Sequence, residues 1–327
     1  MKLSINIESW SIRGHFTISR STLTKVDIVC VEISDGLITG RGECRPYSRY
    51  NETPQTVAGQ IERLRDVIEM GITHDDLIAI LPAGAARNAL DCALWDFACK
   101  SSDKNIWSLT GITPPKPQAT AFTISIDSSD NMAVAAKKAS DFDILKIKVD
   151  AKRFKNQITA VATARPNCRL IVDANEALKA DDVFSLADHP YREHITLIEQ
   201  PLHDDIVRNH SFATYDGPTL CADESFHGID DLMTLKQLGY GALNIKLDKC
   251  GGLSSALKII KAAKATGFSL MGGCMLSTSL AVAPMAAIMD LFDIIDLDAG
   301  ALLSQDRDNG LTYEKGRVHP PQSSLWG

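Results

Sequence analysis

The chain has 327 residues, 45% hydrophobic and 23% charged, the balance of an ordinary globular protein. Thirty-four Lys and Arg against 41 Asp and Glu give a net charge of −7, which disfavours both a basic stripe for nucleic-acid phosphates and docking on an anionic membrane. At roughly 150 residues per domain the length predicts about two domains, large enough to fold without disulfide or metal staples.

The first third reads as a small α+β unit. Residues 26–33 are strand-like, Asp35-Gly36 is a turn signal, and residues 37–43 return as a second strand. Residues 54–70 carry Val57, Ile61, Leu64 and Ile68 at helical spacing, and residues 85–100 carry Ala89, Leu90, Ala93, Leu94 and Phe97 in the same way. The opening Met-Lys-Leu-Ser-Ile-Asn lacks the apolar run of a secretory signal, and none of the eight cysteines forms a C-x-x-C pair. The expectation is a cytoplasmic protein with reduced thiols. Residues 280–289, the most apolar later stretch, are too few to span a bilayer and include Pro284.

Pro114, Pro115 and Pro117 form a stiff segment. It predicts a boundary between a cap of residues 1–113 and a second domain of residues 114–300, with residues 301–327 packing back on the cap. After this boundary, β-rich runs fall at residues 120–126, 144–149, 170–174, 196–200, 219–222, 243–247, 268–272 and 294–297. Helical stretches separate them, for example 131–140, 154–164 and 254–265. Eight strands joined by helical crossovers predict an α/β fold, a modified TIM barrel of (β/α)7β type with an α+β N-terminal capping domain. A doubly wound sheet would bring a Gly-rich turn after its first strand, and Ile126-Asp127-Ser128-Ser129 is not one. Gly40-x-Gly42 lies in a hairpin and is no nucleotide fingerprint, and Gly251-Gly252 reads as a tight turn into a helix.

Chemistry in such a barrel collects at the C-terminal strand ends. The second predicted barrel strand ends in Lys146-Ile147-Lys148, the third in Asp173, the fourth in Glu199, the fifth in Asp223, the sixth in Lys246 and the eighth in Asp296-Leu297-Asp298. The seventh ends in Gly272-Gly273-Cys274 and offers mainly backbone. Charges this close to a barrel interior need partners or a metal. Asp173, Glu199 and Asp223 on adjacent strands suit Mg²⁺ or Mn²⁺. No histidine pair has zinc spacing, and His189 and His194 are expected at the surface.

Lys146 and Lys148 share one strand face and point into the barrel. Lys246 is half a circle away, so it faces Lys148 across the metal wall. This layout suits a 1,1-proton transfer. One lysine removes the α-proton of a metal-bound carboxylate and the other returns a proton to the opposite face of the enediolate. A neighbouring like charge and the metal would lower the pKa of the base, with Lys146 as neighbour and as a contact for the substrate carboxylate.

These residues resemble the enolase superfamily in its muconate-lactonizing subgroup, whose use of lysine bases with Mg²⁺ is a known pattern. The strings Gly42-Glu43-Cys44-Arg45-Pro46-Tyr47, Arg87-Asn88-Ala89-Leu90-Asp91, Asp173-Ala174-Asn175-Glu176, Lys246-Leu247-Asp248-Lys249 and Gly273-Cys274-Met275-Leu276, with the Asp-x-Asp of the eighth strand, are similar to the proteobacterial dipeptide epimerases that act on L-Ala-D/L-Glu. The resemblance implies Lys148 and Lys246 as the acid/base pair and Asp173, Glu199 and Asp223 as ligands of one Mg²⁺ per subunit, replaceable by Mn²⁺. It implies Asp296 and Asp298 at the dipeptide ammonium, and Thr123, Lys146, Cys274 and Leu276 as further substrate contacts. Arg20 is implied to reach the glutamate side chain from an N-terminal loop. The implied partner is a small dipeptide of cell-wall recycling, with no nucleic acid and no membrane, and a homo-oligomer is compatible. Two alternatives stand beside this: an N-acylamino acid racemase or o-succinylbenzoate synthase, whose substrates lack the free ammonium, and an inactive barrel that only binds a small ligand.

Overall fold

The computed structural model describes residues 1–327. Three antiparallel strands open the chain: β1 (Lys2–Ile18), β2 (Ser21–Ser34) and β3 (Thr39–Cys44), in that spatial order. The pairing runs from Lys2 opposite Ser34 to Ile18 opposite Ser21. The hairpin expected over residues 26–43 is therefore the inner part of a larger sheet. β1 does alternate, Leu3, Ile5 and Ile7 against Ser4, Asn6 and Glu8, but only Leu3 and Ile12 of its 17 residues are buried.

Five helices follow: α1 (Pro54–Glu62), α2 (Arg65–Met70), α3 (His74–Ile80), α4 (Ala85–Ser102) and α5 (Ile106–Thr110). The single helix expected over 54–70 is two, because the chain tightens at Leu64, whose N–H reaches back three residues to Ile61 O at 3.0 Å. α4 lies directly on β3. A Cβ on Gly42 would fall 2.0 Å from Ala89 O and one on Gly40 would fall 2.3 Å from Ala93 O, so only glycine permits this approach. Val29, Val31 and Ile33 of β2 meet Ala89, Leu90 and Ala93 of α4 in the core of the cap.

After β4 (Gln118–Ala119) come the barrel strands β5 (Ala121–Ile124), β6 (Ile144–Lys148), β7 (Arg169–Asp173), β8 (Ile195–Glu199), β9 (Thr219–Ala222), β10 (Ala242–Ile245), β11 (Ser269–Gly273) and β12 (Ile294–Asp296). They form one parallel sheet in sequential order. The ring closes at a narrow seam, where Thr120 bridges to Ile295 and Leu297 N–H donates to Thr120 Oγ1 at 2.9 Å. Helices α6 (Ser129–Lys138) and α7 (Phe154–Ala164) make the first two crossovers. Later ones include α8 (Ala180–Phe184), α9 (Asp204–Val207), α10 (Leu232–Gln237), α11 (Leu247–Cys250), α12 (Leu253–Ala265) and α13 (Ser279–Ala287). The apolar stretch around Pro284 is α13, buried along its whole length, and no helix is long and apolar enough to cross a membrane. His189, expected at the surface, is buried, and its ring accepts the Tyr191 N–H at 3.2 Å.

The two halves are locked by buried polar contacts. Glu43 of β3 accepts from Thr278 N–H at 3.0 Å and from Arg307 at 2.7 Å. Arg87 of α4 donates to Cys250 O at 2.8 Å and Gly251 O at 3.1 Å. Gly251 and Gly252 have φ of 79° and 105°, and a Cβ on either would strike Arg87 or Asp91, so the Gly-Gly turn serves the cap contact. The tail divides its contacts. After the short helix α14 (Ala299–Leu302), β13 (Tyr313–Glu314) and β14 (Arg317–Val318) pair onto β4, while Trp326 donates to Cys92 O at 2.9 Å and Gly327 to Asp96 at 2.8 Å in the cap.

Candidate active site

The strand period of two builds the site. One apolar residue from each barrel strand forms the floor: Ala121, Ile144, Ile171, Leu197, Cys221, Ala242, Met271 and Ile294. Two residues further along each strand the same face turns polar: Thr123, Lys146, Asp173, Glu199, Asp223, Asn244 and Asp296, with Gly273 the exception. Another step of two brings Lys148, Lys246 and Asp298. A hydrophobic layer thus carries a layer of charge, with the cap above it.

Lys146 is at the centre. Its ammonium donates to Asp296 Oδ2 at 2.8 Å and lies 2.7 Å from Glu199 Oε2 and 3.1 Å from Asp173 Oδ2. Lys148 donates to Asp173 Oδ2 at 2.5 Å, and Lys246 donates to Asp223 Oδ2 at 2.7 Å. Lys148 on β6 and Lys246 just after β10 stand four strands apart in a ring of eight. Burial opposes charge on Lys146 and Lys246, but the surrounding carboxylates outweigh it and hold both well above the ordinary lysine value, Asp296 leading for Lys146 and Asp223 for Lys246. The like charge of Lys146 acts on Lys246 in the expected direction, but the ion pairs of Lys246 with Asp223 and of Lys146 with Asp296 outweigh it.

The carboxylates are pushed apart. Glu199, fully buried and repelled by Asp173, is raised to about 8. Burial also disfavours the ionised forms of Asp173 and Asp223, yet the lysines prevail and hold both below the usual carboxylate range. No three carboxylates form a ready-made metal cage as they stand, since lysine ammoniums lie among them. The donor set nevertheless fits a hard divalent cation. Asp173 and Glu199 are direct register partners, Asp223 follows the next strand, and buried Glu199 Oε2 has no hydrogen-bond donor aligned on it.

The cavity above is open to solvent and is lined by side chains of both the cap and the barrel. Thr123, Lys146, Lys148, Asp223, Lys246, Cys274, Leu276, Asp296 and Asp298 all line it. Asp173 and Glu199 do not; the Lys146 ammonium contacts both. Asp298 lies past the end of β12, where its Oδ2 accepts the Thr123 N–H at 2.6 Å. Burial and the nearby Asp296 push Asp298 up to about 7. Asp296 Oδ1 is buried with no partner, and the Cys274 thiol donates to Asp296 O at 3.4 Å.

Arg20 lies on the N-terminal loop, as the resemblance implies, and is held there by ion pairs. It sits in the tight turn between β1 and β2, and its guanidinium donates to Glu224 Oε1, Glu176 Oε2 and Asn175 O, each at 2.8 Å. It does not line the cavity. The guanidinium is consumed by carboxylates that lie more than 150 residues away in sequence.

Four residues beyond the expected set belong to the site. Asn244 donates to Glu199 Oε1 at 2.7 Å, and its place two residues before Lys246 was a usable signal. Lys249 donates to Asp223 Oδ1 at 2.5 Å. Gln200 accepts the N–H groups of Asp223 at 2.9 Å and Ser225 at 3.0 Å, fixing the turn that presents Asp223. Gln200 has φ of 33°, a left-handed strain of the kind held at functional sites. Arg45, after β3, lines the cavity from the cap.

The comparisons agree with this architecture. Residues 1–111 match the mandelate racemase/muconate lactonizing enzyme N-terminal domain and residues 130–324 match the enolase C-terminal domain-like family. The chain is 38% identical to the L-Ala-D/L-Glu epimerase of Escherichia coli K12, covering 95% of this chain and 97% of that one. It is also 38% identical to an N-acetyl-D-glutamate racemase of Pseudoalteromonas, covering 92% and 95%. A crystal structure of an Agrobacterium tumefaciens enolase family member with homology to dipeptide epimerases, with bound sodium and L-Ala-L-Glu, superposes with a TM-score of 0.94 at 40% identity over 99% of both chains. The dipeptide epimerase of Enterococcus faecalis, solved with Mg and L-Leu-L-Tyr, gives 0.89 at 26% identity over 98% and 97%. The chain belongs to the enolase superfamily, with the cap and barrel of the mandelate racemase/muconate lactonizing enzymes, and is an enzyme of their epimerase and racemase kind.

Proposed function

We propose that the chain epimerises L-Ala-D-Glu and L-Ala-L-Glu type dipeptides by 1,1-proton transfer with Mg²⁺ as cofactor. Asp173, Glu199 and Asp223 would hold one Mg²⁺ per subunit, and Mn²⁺ would serve in its place. Bound there, the ion would draw carboxylate charge away from the lysines and neutralise the charge that develops on the substrate carboxylate oxygens. Lys148 and Lys246 remove and return the α-proton from opposite sides, so each configuration at the carbon can be made from the other. Lys146 orients the substrate carboxylate. Asn244 holds Glu199, and Lys249 and Gln200 hold Asp223, in the required orientation.

One observation supports a dipeptide above other acids: Asp296 and Asp298 are two buried carboxylates on the wall of the same cavity, one with an orphaned oxygen. An α-ammonium between them would satisfy both through charge-assisted hydrogen bonds. The similarity to the Escherichia coli enzyme favours the same substrate. The equal similarity to the Pseudoalteromonas racemase favours a second reading, N-acetylglutamate racemisation, in which the aspartate pair has no ammonium to bind. Steady-state kcat/KM on L-Ala-L-Glu and N-acetyl-L-glutamate separates the two. The proposal expects the dipeptide to win; preference for the N-acetylated acid would establish the second reading. Eight free cysteines, seven of them buried, fit a cytoplasmic location, and the dipeptide substrate fits murein-peptide recycling.

A further inference from the structure

Four cations line the cavity: Arg45, Lys146, Lys148 and Lys246. The three lysines are bonded to carboxylates of the barrel. Arg45 has no carboxylate partner. Its side chain makes one long hydrogen bond, 3.4 Å to Pro46 O, and its Nε is buried with no acceptor. The guanidinium lies 5.4 Å from the centroid of the Tyr47 ring. The two other arginines of this rim are neutralised, Arg20 by Glu224 and Glu176 and Arg49 by Glu176. Arg45 is partly buried, desolvating a guanidinium without an anion is costly, and this burial pulls its pKa below the usual arginine value.

The backbone of Arg45 is fixed on both sides. Its N–H donates to Asp248 Oδ1 at 3.0 Å, and the same oxygen accepts from Asn88 at 3.0 Å. Pro46 restricts the residue before it to extended geometry. Arg45 is thus anchored to the barrel through its backbone while its side chain is left without an anion. Phe16, Ile18 and Leu23 from the β1–β2 hairpin line the cavity with it and supply an apolar wall.

We infer that Arg45 is the specificity-determining residue that receives the side-chain carboxylate of the substrate's epimerised residue, the role that sequence reasoning gave to Arg20. The inference rests on the proposed reaction of an α-carboxylate at the lysine pair, and it names the acidic side-chain class. Ammonium and acid group then meet opposite charges in one cavity, Asp296 and Asp298 for the first and Arg45 for the second.

The test compares kcat/KM on L-Ala-L-Glu and the neutral isostere L-Ala-L-Gln for wild type, Arg45→Met and Arg45→Lys. Losing a charge-assisted pair should lower L-Ala-L-Glu turnover by about a hundredfold in Arg45→Met, with a loss on L-Ala-L-Gln at least about tenfold smaller. Arg45→Lys should recover part of the glutamate turnover. Retained turnover of the neutral dipeptide shows that the variant folds. Equal losses on both substrates, or undiminished glutamate turnover, would overturn the inference. The same comparison with N-acetyl-L-glutamate and N-acetyl-L-glutamine keeps the two readings apart. A wild type that uses only the N-acetylated pair, with a glutamate preference abolished by Arg45→Met, would refute the dipeptide reading and uphold the role of Arg45.

Discussion

Lys146 on β6 donates to Asp296 on β12 at 2.8 Å, reaching over β5, which lies between the two strands in the closed ring. The contact sits at the seam, where backbone pairing between β12 and β5 is reduced to the Thr120–Ile295 bridge. Asp298 adds a second polar stitch by accepting the Thr123 N–H at 2.6 Å. The aspartates assigned to the substrate ammonium therefore also help to close the barrel, and substitution can separate the two roles.

Asp298→Asn keeps an acceptor for Thr123 but removes the negative charge. Turnover of L-Ala-L-Glu should fall roughly ten- to a hundredfold, while the melting temperature stays at or above that of the wild type. Asp298→Ala loses the acceptor as well and should also forfeit about 1–3 kcal/mol of stability, because a buried N–H is left unpaired. Thermal melts and kinetics on the two variants check this. Equal melting temperatures would show that the seam contact is not stabilising.

Glu199→Gln should fold and yet be inactive. Burial and the neighbouring Asp173 and Asp223 raise Glu199 to about 8, so its side chain is already mostly uncharged near neutral pH and a neutral Gln costs the fold little. A ligand that binds only the folded state raises stability by about 2.7 kcal/mol at a hundred times its Kd. Saturating Mg²⁺ should therefore raise the melting temperature of the wild type and not that of the variant. Calorimetric titration showing unchanged Mg²⁺ affinity would remove Glu199 from the ligand set.

Asp248 gives a pH signature outside the catalytic centre. Burial raises it from 3.8 to about 7, against the hydrogen bonds from Arg45 N–H and Asn88. An acid whose folded pKa exceeds its unfolded value binds more protons when folded, so its contribution to stability falls as pH rises from about 4 to about 7 and is flat above. Asp248→Asn removes the ionisation and keeps the acceptor. The variant should be more stable than the wild type at pH 8, by up to a few kcal/mol, with the difference closing as pH approaches 4. Denaturant melts across that range check it, and a pH-independent difference would contradict a buried, raised carboxyl.

The barrel was legible because period and charge coincide. Lys146 and Lys148 sit two apart on a strand, and carboxylates end three successive strands, a pattern that a solvated surface does not need. The cap was half legible. β1 was legible in the alternation of Leu3, Ile5 and Ile7 with Ser4, Asn6 and Glu8 and was not used, and the single helix over 54–70 was misread because no glycine or proline marks the break at Leu64. Asn244 stands in the motif that ends in Lys246, but its role depends on Glu199, which stands on another strand of the barrel. Lys249 reads as a solvated helix charge until the fold buries it against Asp223. Arg20 and Arg45 show the limit most clearly. Which arginine is neutralised depends on Glu176 and Glu224, brought to the hairpin by the barrel, and no local pattern reports that.

In the proposed reaction Lys148 and Lys246 address one α-carbon from opposite sides. The direct measurement is NMR-monitored exchange of the glutamate α-proton in D₂O with Mg²⁺, on pure L-Ala-L-Glu and pure L-Ala-D-Glu, for wild type, Lys148→Ala and Lys246→Ala. The wild type should exchange and interconvert both diastereomers, gaining one deuterium at that carbon. Each variant should fail to epimerise and exchange a single diastereomer, and the two variants should retain opposite ones. Near wild-type epimerisation by either variant, or exchange of the same diastereomer by both, would contradict the opposed-lysine site.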